Sequence, residues 1–225
     1  MKKLVSAIAL ACACLVPTFT STAVYAAEQA QYADIQDPRE LFEKVTQSAF
    51  KRFKASWSEV KQNPELLKQI IREELLPYID HEYAAFKVLG KYVRDVKADD
   101  RKAFVDAFSD YIVTIYAQLF TQYRETQDII VQPTMAGEED KIAVVRSKIV
   151  EPGRPDIDVT FKLIYRNNQW RAFDMEAEGI SVLSTKRKEI GAAMPRMGIT
   201  GIIKDLKDKA EQKLTFKSDS SDPQS

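Results

Sequence analysis

Cysteine is nearly absent from this chain of 225 residues: there are two, Cys12 and Cys14, both in the apolar stretch near the N-terminus. Once that stretch is removed, no disulfide, cysteine nucleophile or thiolate metal ligand can form. Histidine occurs once, as His81, between Asp80 and Glu82 at an expected helix start, where it reads as a surface or capping residue. One His without Cys disfavours zinc, and a Ser-His-Asp triad would have to be built around this one ring. No serine stands in a G-x-S-x-G turn, and no P-loop, dinucleotide fingerprint or kinase motif is found. Charge of one sign is missing too. Lys and Arg number 33 and Asp and Glu number 33. A nucleic-acid-binding protein would be clearly basic, so that class is excluded.

What is present begins with an export signal. Lys2 and Lys3 precede "LVSAIALACACLV", an apolar run too short for a comfortable membrane span, and "AVYAA" follows. Val24 and Ala26 suit the positions three and one before a signal-peptidase cut, which places cleavage after Ala26, with Ala27 the next choice. An uncleaved anchor is the alternative. A lipoprotein site at Cys12 fails, because Ala9 stands where Leu is wanted and a cut there would truncate the apolar run. The expected organisation is a signal peptide over residues 1–26, one domain over 27–214, and a disordered tail over 215–225. Release into the periplasm of a Gram-negative bacterium fits a stable core without disulfides.

The first half of that domain reads as helix. Asp37, Pro38 and Glu40 make an N-terminal cap, and Asn63, Pro64 and Glu65 repeat the device. Leu41, Phe42, Val45, Ala49, Phe50 and Phe53 form an apolar stripe between them. A second helix runs into Pro77, a short one follows through "YAAFKVLGKY", and the longest is expected to start near Asp99. Its stripe of Phe104, Phe108, Tyr111, Ile112, Ile115, Tyr116, Leu119 and Phe120 is broad and aromatic, suited to a central core helix or to one that partly lines a cavity.

After Glu125 the period changes to two. "DIIVQP", "KIAVVRSKIV", "DIDVTFKLIY" and "QWRAFDM" predict four antiparallel strands, with "RNN" as a tight hairpin turn. Ile157, Val159, Phe161, Leu163 and Tyr165 share one face. A last helix is expected around Ile199 to Lys213. The fold class is therefore α+β, a helical N-terminal half packed on one face of a curved four-stranded antiparallel sheet.

Asp174, Glu176 and Glu178 recur at every second position of "WRAFDMEAEGISVLSTKRKEI". On an uninterrupted strand they project in a straight row, beside Trp170 and Ala172 and opposite Phe173 and Met175. Such a row does not wrap a cation as a calcium loop does. It reads as a solvated sheet face, or as Asp174, Glu178 and Gly179 holding the turn that follows.

These segments resemble the MlaC family, periplasmic phospholipid carriers also known as toluene-tolerance proteins. Asp174, Glu178, Gly179, Ser181 and Thr185 match its C-terminal signature. "ELLPYIDHEYAAFKVLGKY" is similar to its Leu-Pro-Tyr and Leu-Gly-x-Tyr segments, and "FVDAFSDYIVTIYAQLF" to its aromatic helix with a Tyr-Ala pair. Glu176 departs from the pattern, since relatives often carry an apolar residue there. The resemblance implies a cone like nuclear transport factor 2 with added helices, enclosing an apolar pocket for the acyl chains of a phospholipid. It implies no cofactor, a monomer, and exchange with an inner-membrane ABC transporter complex and an outer-membrane lipoprotein–porin complex, maintaining outer-membrane asymmetry.

The lining candidates are Leu76, Tyr83, Phe86, Leu89, Phe108, Tyr111, Ile115, Val145, Ile149, Val159, Phe161, Leu163, Phe173, Met175, Ile180 and Leu183. Lys186, Arg187 and Lys188 could meet a headgroup phosphate at the mouth or form a solvated helix face. Two other readings compete. An isomerase or dehydratase on the same cone would use a buried carboxylate beside Tyr111 or Tyr165. A docking adaptor would have no enclosed pocket.

Overall fold

The computed structural model describes residues 32, 34–132 and 141–216; the expected signal peptide and the tail beyond 216 lie outside the described residues. Helix α1 (Pro38–Gln62) starts as its sequence requires. The Asp37 carboxylate accepts from the backbone N–H of Arg39 at 2.7 Å and of Glu40 at 3.0 Å, with Pro38 in the first turn. Leu41, Val45, Ala49 and Phe53 form its buried stripe.

The second start is built differently. Asn63 closes the C-terminus of α1, and α2 (Leu66–Ile70) has no side-chain cap. Glu65 instead accepts from the N–H of Leu214 at 2.7 Å and pairs with Lys68, tying this corner to the C-terminal segment. The chain then widens into a π turn (Ile71–Leu75) and tightens into a 3-10 turn (Leu76–Tyr78). Pro77 lies in that last turn, where its missing N–H and bulky ring end the helix.

Asp80 caps α3 (His81–Leu89) through the N–H of Tyr83 at 2.9 Å, and its other oxygen meets Arg166 at 3.1 Å. Helix α4 (Ala98–Phe120) has 23 residues and is not the longest; α1 has 25. Helix α5 (Val182–Ala210) extends over 29, contrary to the expected start near Ile199. Two helices meet in it at Gly198, whose φ of 62° and ψ of 176° are not helical. The run of Lys186, Arg187, Lys188 and Glu189 hid its first half, because charged residues interrupt a stripe that buries Ile190 and Met194.

The sheet is a meander of five strands: β1 (Asp128–Val131), β2 (Ile142–Val150), β3 (Ile157–Arg166), β4 (Gln169–Ala177) and β5 (Ile180–Ser181). All neighbours are antiparallel. Four were expected; the fifth has two residues, too few to show a period. Asn167 and Asn168, at φ 52° and 65°, make the β3–β4 turn. Positive φ at both central residues is what a tight hairpin requires.

The strand β4 does not alternate uniformly. Lys162 lies opposite Asp174 but Leu163 lies opposite Ala172, so Phe173 is an extra, unpaired residue: a β-bulge. Trp170 and Ala172 before it, and Met175 and Ala177 after it, therefore share the face of Leu163, Phe161 and Val159. Asp174 and Glu176 are turned to the other face. The expectation that Asp174 and Glu176 lie beside Trp170 and Ala172 is thus corrected by one residue of slip.

The buried side chains form three clusters. One joins α3, α4 and α5, another joins α1, α2 and α4 to the C-terminal segment, and the third lies between α1 and the sheet. Thr215 and Phe216, expected in the tail, belong to this packing: Gln118 donates to the Thr215 carbonyl at 2.9 Å, and Phe216 meets the Trp57 ring edge-on at 6.1 Å. Among the described residues no helix is long and apolar enough to cross a membrane. Replacing Asp37 by Ala removes a two-bond cap and is expected to lower stability by about 1 kcal/mol in urea unfolding, with the native helix content unchanged.

Candidate functional site

Where the clusters meet, the side chains do not close. A cavity of about 350 Å³ remains between the sheet, α1, the end of α4 and the turn around Tyr78. The sheet contributes Ile129, Ile149, Ile157, Val159, Phe161 and Leu163, then Ala172, Phe173, Met175 and Ala177 around the bulge. From α1 come Leu41, Phe42, Val45, Thr46, Ala49 and Phe50, and from α4 and its end Tyr116, Leu119, Phe120 and Tyr123. Leu119 is 44% exposed and Ile157 is 39% exposed, and Gln122 beside them is exposed as well. These mark the mouth, between the C-terminal end of α4 and the β1–β3 edge of the sheet.

Two of the helical stripes serve the cavity for a simple reason. In α1 the buried residues Leu41, Val45 and Ala49 are flanked by the half-buried Phe42 and Phe50, so the apolar surface is wider than the dry contact needs. In α4 the stripe divides. Phe104, Phe108, Tyr111 and Ile112 are buried in the helical cluster, whereas Tyr116, Leu119 and Phe120, one or two turns later, border the cavity.

Asp174 is the one charged residue in the described lining. It is buried, and its carboxylate is committed: Ser181 Oγ donates to Oδ2 at 2.8 Å and the N–H of Leu183 to Oδ1 at 3.1 Å. Ser181 is itself the N-cap of α5, accepting from the N–H of Ser184 at 2.9 Å. Asp174 therefore neutralises the first turn of α5, where exposed N–H groups and the helix dipole favour an anion. Lys162 Nζ lies 3.5 Å from Asp174 and 3.2 Å from Glu176, so this row is joined by a cation from the neighbouring strand.

Glu178 and Gly179, at φ 48° and 77°, form the β4–β5 turn. The Glu178 N–H donates to the Asp158 carbonyl at 3.0 Å, and its carboxylate accepts from the Asp158 N–H at 2.9 Å. Among the described residues no three His, Cys, Asp or Glu side chains converge as metal ligands do.

Two titrating groups stand out around the cavity. Burial, and then the negative charge of Asp174, push the Tyr116 phenol well above its ordinary value, so its proton is retained. At the mouth, Glu151 accepts from Arg124 Nε at 2.7 Å and from Thr126 at 2.9 Å. The Arg124 hydrogen bond holds its carboxyl at about 2, against the opposing effect of burial. This pair ties the α4–β1 connection to the β2–β3 connection.

Of the sixteen expected lining residues, Ile149, Val159, Phe161, Leu163, Phe173 and Met175 border the cavity. Val145 lies fully buried opposite Phe161, between sheet and α1. Leu89, Phe108 and Tyr111 are dry core under α5, and Leu76, Ile115 and Leu183 pack against that cluster. Tyr83 meets Phe173 edge-on at 5.1 Å, behind the cavity wall. Phe86 is half-buried on α3, and Ile180 is 66% exposed. Val145 and Ile180 apart, the division follows from α5, which fills the α3 side of the molecule; pattern alone cannot tell which apolar face meets a neighbour.

Lys186 is likewise not at the mouth. It is buried, with Nζ 4.4 Å over the Tyr111 ring and a bond to Glu189; burial alone would lower its pKa, but Glu189 and Tyr111 outweigh it and the charge is kept. Among the described residues no carboxylate is hydrogen-bonded to Tyr111 or Tyr165. Tyr165 bonds Gln36 at 3.0 Å, and the buried Asp174 has its oxygens engaged.

Fold and cavity together define an α+β protein built around one apolar chamber with a mouth at the sheet edge. The family model described as MlaC protein matches residues 43–208. Over 181 residues the chain is 30% identical to the intermembrane phospholipid transport system binding protein MlaC of Haemophilus influenzae, covering 80% of this chain and 85% of that one. The chain belongs to the MlaC family. A phospholipid-binding protein from Ralstonia solanacearum, solved in complex with a phospholipid, shares the fold at a TM-score of 0.70 and 17% identity. The match covers 77% of this chain and 97% of that chain.

Because the Glu151 pKa is depressed, its stabilising effect is present above its ordinary value of 4.5 and is lost as pH falls through about 2. Glu151→Gln is therefore expected to lower the urea midpoint at pH 6, with the gap to the parent narrowing steadily below pH 4.5. A gap that does not change with pH would mean that the pair contributes through shape alone.

Proposed function

We propose that this chain is a soluble periplasmic carrier that holds the acyl chains of a phospholipid in the apolar cavity and moves the lipid between the two membranes. The observation that carries this reading is the composition of the wall: one charged residue, Asp174, already bound to a helix start, one threonine, Thr46, and otherwise aliphatic and aromatic surface out to the mouth. The chemistry demands such a wall. Two acyl tails expose roughly thirty methylenes, and at about 0.8 kcal/mol each their transfer into water costs on the order of 25 kcal/mol. A diffusing carrier must replace nearly all of that contact. A polar headgroup requires no such cover and can remain at the mouth, beside Gln122 and Gln127.

Family membership supports the rest. Export by a signal over residues 1–26 and cleavage after Ala26 would deliver the chain to the periplasm as a monomer. There it would exchange lipid with an inner-membrane ABC transporter complex and an outer-membrane lipoprotein–porin complex, maintaining outer-membrane asymmetry. The architecture is read as a cone of the nuclear transport factor 2 type, extended by the helices α1 to α3. Catalysis is not part of this reading, because the buried Asp174 is engaged in structure.

The test is direct. Mature protein purified natively from a bacterial periplasm, extracted with organic solvent and analysed by mass spectrometry, is expected to yield near-stoichiometric diacyl phospholipid. Folded protein without lipid would overturn the carrier, and a small polar product in its place would favour an enzyme. Val159 is 6% exposed and lies on the cavity wall. Val159→Glu places a charge against the tails and is expected to remove most of the bound lipid while circular dichroism shows the fold retained. Unchanged lipid content in that variant would show that the tails lie elsewhere.

A further inference from the structure

Most of the cavity wall has no hydrogen-bonding capacity, which makes the exceptions informative. Tyr116 lines the cavity from α4, and among the described residues its hydroxyl has no hydrogen-bond partner. Tyr116 is half-buried, and tyrosines inside proteins usually find a hydrogen-bond partner for the hydroxyl. Tyr78 is already engaged, and the Tyr123 hydroxyl, which also has no partner among the described residues, is buried in the aromatic cluster with its ring edge-on to Trp57 at 5.2 Å.

The position of Tyr116 is specific. Leu119, at the mouth, lies three residues further along the same helix, a rise of about 5 Å. A phospholipid whose phosphate stays at the mouth brings its glycerol ester carbonyls to about that depth, where headgroup gives way to tail. Those carbonyls are acceptors without donors of their own. Tyr116, which keeps its proton because burial and the Asp174 charge disfavour the phenolate, can act toward them as a donor throughout the physiological range.

We propose that the Tyr116 hydroxyl donates a hydrogen bond to an ester carbonyl of the bound phospholipid, making the cavity selective for ester-linked over ether-linked glycerolipids. This inference rests on the carrier reading and adds to it a polar register point. The tails are held by apolar contact at any depth, whereas one directed bond sets how far the lipid enters. A chamber with a wholly apolar wall would accept either linkage equally.

The experiment needs no variant in its first arm. Lipid-free protein is loaded from an equimolar mixture of diester and diether phosphatidylethanolamine with identical chains, re-isolated, and its lipid quantified by mass spectrometry. One hydrogen bond corresponds to an enrichment of the diester of about threefold to tenfold. In Tyr116→Phe the ratio of diester to diether in the lipid that is taken up is expected to fall to about one. Equal uptake of both lipids by the parent overturns the inference and leaves the carrier reading intact. A preference retained in full by Tyr116→Phe overturns the assignment to Tyr116. Uptake of neither lipid overturns both readings.

Discussion

An anionic carboxylate on the wall of an apolar chamber would cost several kcal/mol if it stood there unsatisfied. Asp174 stands in that wall, and the architecture depends on how it is satisfied. The one-residue bulge at Phe173 turns Asp174 away from the face of Leu163 and Phe161 and toward the first turn of α5. There Ser181 Oγ and the N–H of Leu183 bind it, and Lys162 balances its charge. The same slip restores Met175 and Ala177 to the apolar face that Trp170 and Ala172 began. One irregularity thus closes the wall, starts the last helix and keeps the charge out of the chamber.

The chamber exists because the helices do not cover the sheet evenly. Helix α5 packs on α3 and α4 and fills that side with Ile190, Met194, Ile202 and Leu206. Helix α1 spans the other side, where Ala49 and the sheet residues Ala172 and Ala177 bring little volume to the wall. Small side chains facing large ones normally interdigitate to a dry core. Here the wall leaves space, and the half-buried rings of Phe42, Phe50 and Phe120 border it.

At the mouth a different logic holds. Leu119 and Ile157 remain apolar and exposed, while the connection that follows α4 and the one that precedes β3 are tied together by Arg124 and Glu151. A rim of this kind must offer apolar surface to a lipid in transit without collapsing onto itself. A buttressing ion pair outside the lining meets that requirement, and it places no charge within the path.

Much of this was legible in the residues. Asp37 and Pro38, the stripes of α1 and α4, the alternation of β3 and the Asn167–Asn168 turn each rest on interactions between near neighbours in the chain, and local pattern records those. Asp174, Glu178 and Gly179 read from their local pattern as holding a turn; Asp174 and Glu178 make hydrogen bonds on either side of the β4–β5 turn, where Gly179 has positive φ. What pattern could not supply was the bulge, the two-residue β5, the first half of α5, and the division of apolar residues between core and cavity. Phe108 and Phe120 are alike on one helical stripe; one is dry because α5 lies against it, and the other stacks on Phe53 of α1 and still borders the cavity. The sequence alone determined which side chains leave water. The tertiary structure decided what they meet, since a void is a property of two facing surfaces and is written in neither one.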